Sequence, residues 1–216
     1  AIPARFVFSP GNFSPSASPA QNSFSTEGQA AQFVQRKNNI NAMISIGGSE
    51  NCTFQNGILL GPLSEPNQFG QIAAAKPISY DPSRFSWSGT MIYGAKNCTF
   101  DSLDVFGQPA DFVYTFPRRD PLSSAATYIH SENIVWKNSY FSGCGRQGWT
   151  INDAVGLEFY NNNISRVARF QIDSEPFSYC KFVNVWFHDN VSTGGNIGFF
   201  HAAHPSSMTV SNFVCE

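Results

Sequence analysis

Charge is what this sequence has least of. Charged residues make up 13% of its 216 residues, and the formal net charge is −2. A nucleic-acid-binding face needs a basic excess to neutralise phosphates. The sequence has no such excess, and no run of like charge that would form an acidic tail or a basic arm. It also lacks any apolar stretch of roughly 18 residues, the length a membrane-spanning helix needs. The N-terminus carries no basic segment followed by an apolar core, and the chain does not open with Met, so a processed or excised polypeptide is expected. Its five cysteines are an odd number without the paired spacing of zinc ligands. Neither a metal site nor a cofactor is expected.

What the sequence does have is apolar and aromatic material in short periods. Hydrophobic residues make up 42% and aromatics 15%, enough to fill the core of one domain. From Gly143 to Pro176 the sequence reads GCGRQGWTINDAVGLEFYNNNISRVARFQIDSEP. Two apolar strand ends (Trp149 and Ile151, then Phe170 and Ile172) are each followed by a short polar turn. Alternation of apolar and polar residues has the period of a half-buried strand, and a unit of about 21 to 28 residues is the size of one solenoid coil.

The register follows from counting. An apolar or small residue stands six positions before a second strand start at Ile46 and Cys52, Ile92 and Cys98, Tyr128 and Ile134, Ile151 and Leu157, and Ala202 and Met208. Four positions beyond each second start comes a corner residue: Asn56, Ser102, Asn138, Asn161 and Asn212. Asn and Ser suit corners because they tolerate left-handed backbone angles and bond their own backbone. A further coil fits if Ile172 is followed by the insertion EPFSYCK before Val185, with Asp189 at the corner. Second-strand starts from Cys52 are spaced 46, 36, 23, 28 and 23 residues. The first gap thus counts as two coils, and the second holds an inserted loop. On that count Cys52 and Cys98 lie two coils apart, about 9 to 10 Å, too far for a disulfide.

The coils are predicted over residues 42–216, with residues 1–41 as an N-terminal covering segment and 62–89 as a lateral loop. Glu27 to Lys37 reads as a helix, a short strand or a loop. The predicted fold class is all-β, a single-stranded right-handed parallel β-helix of about seven coils.

The coil spacing, the Asn corners and the signatures SENIVWKNSYFSGCGRQGW, GLEFYNNNIS and FQIDSEP resemble right-handed parallel β-helix repeat proteins of the pectate-lyase-like superfold. Within it, the GRQG turn followed by an acidic-Pro turn, together with ADFVYTF, is most similar to the type found in actinobacteria and in minor tail proteins of their phages. The resemblance covers roughly Ala42 to Glu216 and implies the β-helix fold. The chain has no match to the calcium aspartates and Arg-x-Pro-x-x-Arg pattern of pectate lyases. Nor does it match the Asn-Thr-Asp, Asp-Asp and Gly-His-Gly elements of polygalacturonases, so neither activity carries over.

Candidate chemistry gathers at one edge of adjacent coils. Aligning Ile151 with Ile172 places Asp153, Asp173 and Glu175 together. Carboxyls roughly 5 to 9 Å apart could cleave a glycosidic bond, one protonating the leaving oxygen while the other attacks or activates water. The same carboxylates could instead tie turn amides, with Arg146, Arg166 or Arg169 as partners. Arg146 offers a donor fork for a uronate carboxylate, or a strut to the next coil. Gln147, Tyr93, Trp87 and His201 complete the candidate glycan-binding set. The expected function is an extracellular or virion-displayed module, resembling tail or spike proteins, that binds a surface polysaccharide and could cleave it. The alternative is a non-catalytic structural module of a tail tip, fibre or surface layer. Expected partners are a glycan and copies of the chain, a trimer among them, with no nucleic acid and no membrane span.

Overall fold

A computed structural model describes residues 4–7, 42–61, 88–108, 110–120, 122–123, 127–195, 198–202 and 210–215. Within them the chain forms β1 (Ala4–Val7), β2 (Ala42–Gly47), β3 (Thr53–Leu60), β4 (Ser88–Tyr93), β5 (Lys96–Gln108) and β6 (Val113–Phe116). Next come β7 (Arg118–Arg119), β8 (Tyr128–Ile129), β9 (Glu132–Lys137), β10 (Tyr140–Cys144), β11 (Trp149–Ile151) and β12 (Ala154–Tyr160). The last are β13 (Asn163–Val167), β14 (Phe170–Ser174), β15 (Phe182–His188), β16 (Val191–Gly195), β17 (Gly198–Ala202) and β18 (Val210–Cys215). There is no helix among the described residues, and the N-terminal segment's helix candidate, most of the lateral loop and Trp87 lie outside them.

The described residues are all-β and their pairings are parallel, except for the small β7–β8 hairpin. One six-stranded sheet runs β2-β4-β6-β11-β14-β17. A second sheet is bent along its length. Its first half pairs the starts of β3 and β5 with β9, β12, β15 and β18, and its second half pairs β1 and the ends of β3 and β5 with β10, β13 and β16. Successive passes of the chain thus add one strand to each of three stacked ladders.

The bend is where the Asn corners were predicted. Asn56, Ser102, Asn138, Asn161 and Asp189 all have φ between 53° and 56°, or 52° at Asn161. Their amides run from pass to pass, Asn138 Nδ2 donating to Asp101 Oδ1 at 2.8 Å and Asn161 Nδ2 to Asn138 Oδ1 at 2.7 Å. A second left-handed row, Asn51, Asn97, Asn133, Gly156 and Asn184, stands one residue before each second-strand start. An L-residue with a Cβ costs about 1–2 kcal/mol in this conformation. Asn138→Val is therefore expected to lose about that much in urea unfolding, and Asn138→Gly less, because Gly has no Cβ to clash.

Inside, period-two alternation turns Cys98, Ile134, Leu157 and Val185 inward in register. Two residues on, Phe54, Phe100, Trp136, Phe159 and Phe187 form a stack with successive centroid separations of 5.3, 4.2, 6.1 and 5.4 Å. Val113, Trp149 and Ile172 meet it from the six-stranded sheet.

Several register expectations need correction. β3 pairs directly with β5, so Cys52 and Cys98 are neighbours, not two coils apart. Both thiols are free. Tyr128 belongs to the β7–β8 hairpin, and the ladder position between Ile92 and Ile151 is held by Thr115. Thr115 Oγ1 accepts the Asn152 and Asp153 amides at 3.1 and 3.2 Å, a task an aliphatic residue could not do. Opposite Val185 stands Phe213, not Met208, which puts Asn212 within a strand and not at a corner. Finally, Trp149 is the residue that faces Ile172, two positions from the predicted Ile151.

Candidate functional site

That two-residue shift decides which carboxylates meet. Asp173 is opposite Thr150 and His201 is opposite Asp173, so Tyr114, Thr150, Asp173 and His201 form one row across β6, β11, β14 and β17. The row alternates with the inward residues Val113, Trp149 and Ile172 and so lies on the outer side of the six-stranded sheet. Asp173 is nevertheless fully buried, with Gln147 Nε2 donating to its Oδ2 at 2.9 Å and His201 Nδ1 lying 2.7 Å from its Oδ1. Glu175 Oε1 lies 3.6 Å from the same ring nitrogen, and the Glu175 side chain is 44% exposed. His201 is 35% exposed and stacks on the Phe170 ring at 4.8 Å.

Beneath this group is a buried pair the sequence reading missed. Asp111 accepts from Arg146 Nη1 at 2.7 Å, the Gln147 amide at 3.0 Å and Thr150 Oγ1 at 3.0 Å. Burial pushes the acid up to about 6, against the pull of Arg146, the Gln147 amide and Thr150. For Arg146 burial works the other way, but Asp111 and its anionic neighbours prevail and hold the guanidinium above its ordinary value. The two shifts favour opposite charge states of the pair. Three donors converging on one carboxyl decide for ionised Asp111 at neutral pH. Tyr114 is pushed well up, first by burial. The signal for Asp111 was present: a buried Arg146 in GRQG requires an anion, and ADFVYTF supplies one at the adjoining strand. The turn itself needs its last glycine, since a Cβ on Gly148 would collide with the Gln171 carbonyl and with Ile164.

Asp153, placed by the sequence beside Asp173 and Glu175, serves other partners. It is fully buried and accepts the Ser131 and Lys181 amides at 3.1 and 2.9 Å, with His130 Nδ1 at 2.7 Å. Asp173 is equally inaccessible, so a pair of exposed carboxylates flanking a glycosidic bond is not assembled by these three residues. Arg146 is 4% exposed and spent on Asp111, with Glu175 Oε2 at 3.9 Å from its Nη2. Gln147 is buried. Tyr93 bonds Ser45 Oγ through its hydroxyl at 3.0 Å on the β2–β4 side of the sheet. Of the candidates brought together, His201 and Glu175 face solvent.

Asp173, Glu175 and His201 each place one nitrogen or oxygen within 4.8 Å of the others, a spacing a divalent cation could bridge. The atoms are already committed, Nδ1 to Asp173 and the Glu175 carboxylate to the neighbourhood of Arg146. The arrangement suits proton handling: a buried carboxylate fixes one imidazole nitrogen and leaves the other, Nε2, turned away from it.

No family model, curated protein or solved structure matches this chain, so the likeness to tail-type β-helix proteins rests on the quoted motifs.

Proposed function

We propose that this chain is a right-handed parallel β-helix, with β1 contributing to a coil before the six passes, and that it binds and cleaves a surface polysaccharide outside a cell or on a virion. The observation that carries this reading is the Asp173–His201 pair with exposed Glu175 beside it. With Nδ1 donating to Asp173, His201 presents Nε2 as a base. In an elimination it takes the proton next to a uronate carboxyl, the C=C bond forms as the glycosidic C–O bond breaks, and the departing oxygen takes a proton from water. In hydrolysis it activates water for attack on the anomeric carbon while Glu175 protonates the leaving oxygen. Positioned acid–base groups of this kind supply roughly 10²–10⁴-fold in rate.

The test is a polysaccharide panel read for new reducing ends and for the ultraviolet absorbance of unsaturated uronates. His201→Gln is expected to reduce cleavage at least about 100-fold without loss of folding, since the side chain is part-exposed. Absorbance would mark a lyase and its absence a hydrolase. No product from any glycan with the wild-type chain would overturn the reading. The burial of Asp111, Asp153 and Arg146 would then favour the second reading, a structural module in which these groups only tie one pass to the next.

A further inference from the structure

We infer that Gln147, the third residue of the GRQG turn, is the positioning residue that sets the proton on His201. The inference rests on the acid–base reading of His201 but is tested apart from it. Gln147 is fully buried and its side-chain amide bridges two groups of one strand. Oε1 accepts the backbone N–H of Phe170 at 3.1 Å, and Nε2 donates to Asp173 Oδ2 at 2.9 Å.

The Phe170 amide can only donate. The carboxamide therefore has one orientation, oxygen to Phe170 and nitrogen to Asp173. Asp173 then spends Oδ2 as an acceptor, and Oδ1 is left to face His201 Nδ1 at 2.7 Å. A carboxylate can only accept, so the hydrogen of this contact sits on Nδ1. The lone pair consequently sits on Nε2, the nitrogen on the far side of the ring. Phe170 holds that ring by stacking on its face. One side chain of the preceding pass thus fixes the rotamer of Asp173, and through it both the tautomer and the direction of the base.

Two substitutions separate this role from packing. Gln147→Met keeps the shape of a buried chain but removes the donor. Gln147→Glu brings two buried carboxyls together, which cannot both ionise, so the new acid keeps a proton and donates it to Asp173. Imidazole ¹⁵N shifts of His201 in the substrate-free protein report the tautomer. The wild type is expected to show protonated Nδ1, and Gln147→Glu to keep it. Gln147→Met is expected to mix the two tautomers and, where a substrate is known, to slow kcat roughly tenfold, part of the acid–base contribution, with KM little changed. A packing role predicts the reverse order, with Met the better tolerated of the two. The inference is overturned if wild-type His201 carries its proton on Nε2, if Gln147→Met keeps the wild-type tautomer, or if Gln147→Glu behaves like Gln147→Met. Absence of cleavage by the wild type would sink the acid–base function while leaving the nitrogen shifts to decide the role of Gln147.

Discussion

Arg146→Met is expected to lower the unfolding free energy by about 3–5 kcal/mol, the usual result of stranding one member of a buried ion pair. Asp111 has no exposed surface, and Arg146 supplies one of its three donors. Without the guanidinium, burial acts on the carboxyl unopposed by the nearest cation. The sign of the pH effect follows from the folded value of about 6 against an ordinary 3.8. The folded state holds this proton more tightly than the unfolded chain does. The contribution of Asp111 to stability is therefore complete below pH 3.8 and lost as pH rises through about 6. In Arg146→Met the same loss should extend to higher pH, so the variant is hurt more at pH 8 than at pH 5. Asp111→Leu combined with Arg146→Met should recover most of the deficit, because apolar groups of similar volume avoid the desolvation cost of both ions. Chemical denaturation at the two pH values checks all of this. A single variant within 1 kcal/mol of wild type at both would show that the pair contributes nothing to folding.

The corners were legible in the sequence because their cause is local. Asn56, Ser102, Asn138, Asn161 and Asp189 adopt left-handed angles that their own side chains favour, so residue type alone marks them. The second-strand row was legible for a related reason: Cys98, Ile134, Leu157 and Val185 follow a strict alternation into the core. First strands were harder. Their ladder is fixed by which inward residues stack from one strand to the next, Trp149 beside Ile172, while the turns between ladders vary in length. A Thr at position 115, used for its hydroxyl, breaks the apolar signal altogether. The gap of 46 residues between Cys52 and Cys98 equals two coils by arithmetic, yet β3 and β5 are hydrogen-bonded neighbours. Residue spacing alone does not give the number of coils.

The candidate site followed the same division. Asp173, Glu175 and GRQG stood out as polar residues at a strand edge, and they do converge. Asp153 was misplaced by the two-residue slip, and His201 gained its partner only once β17 was laid against β14. Asp111 lies 35 residues before Arg146, a distance over which no local pattern operates.

Trp136→Ala is expected to cost about 3–5 kcal/mol, the range for truncating a large buried aromatic. Trp136 is fully buried at the middle of the internal stack, 4.2 Å from Phe100 and 6.1 Å from Phe159, with Phe141 tilted against it at 5.4 Å. Its Nε1 has no hydrogen-bond partner among the described residues. Trp136→Phe therefore removes an unsatisfied buried donor along with some volume, and the two effects should offset to within about 1 kcal/mol. Phe54, the first ring of the stack among the described residues and only partly buried, should lose less on truncation than Trp136 does. In an array where each pass touches chiefly its neighbours, stability is a sum of units and interfaces. A gap at the middle weakens two interfaces at once and lets the halves separate. Trp136→Ala should accordingly broaden the urea transition as well as shift it, whereas Phe54→Ala should shift it alone. Equal losses from the two truncations, with equally sharp transitions, would mean that the domain unfolds as one block and that the stack has no privileged centre.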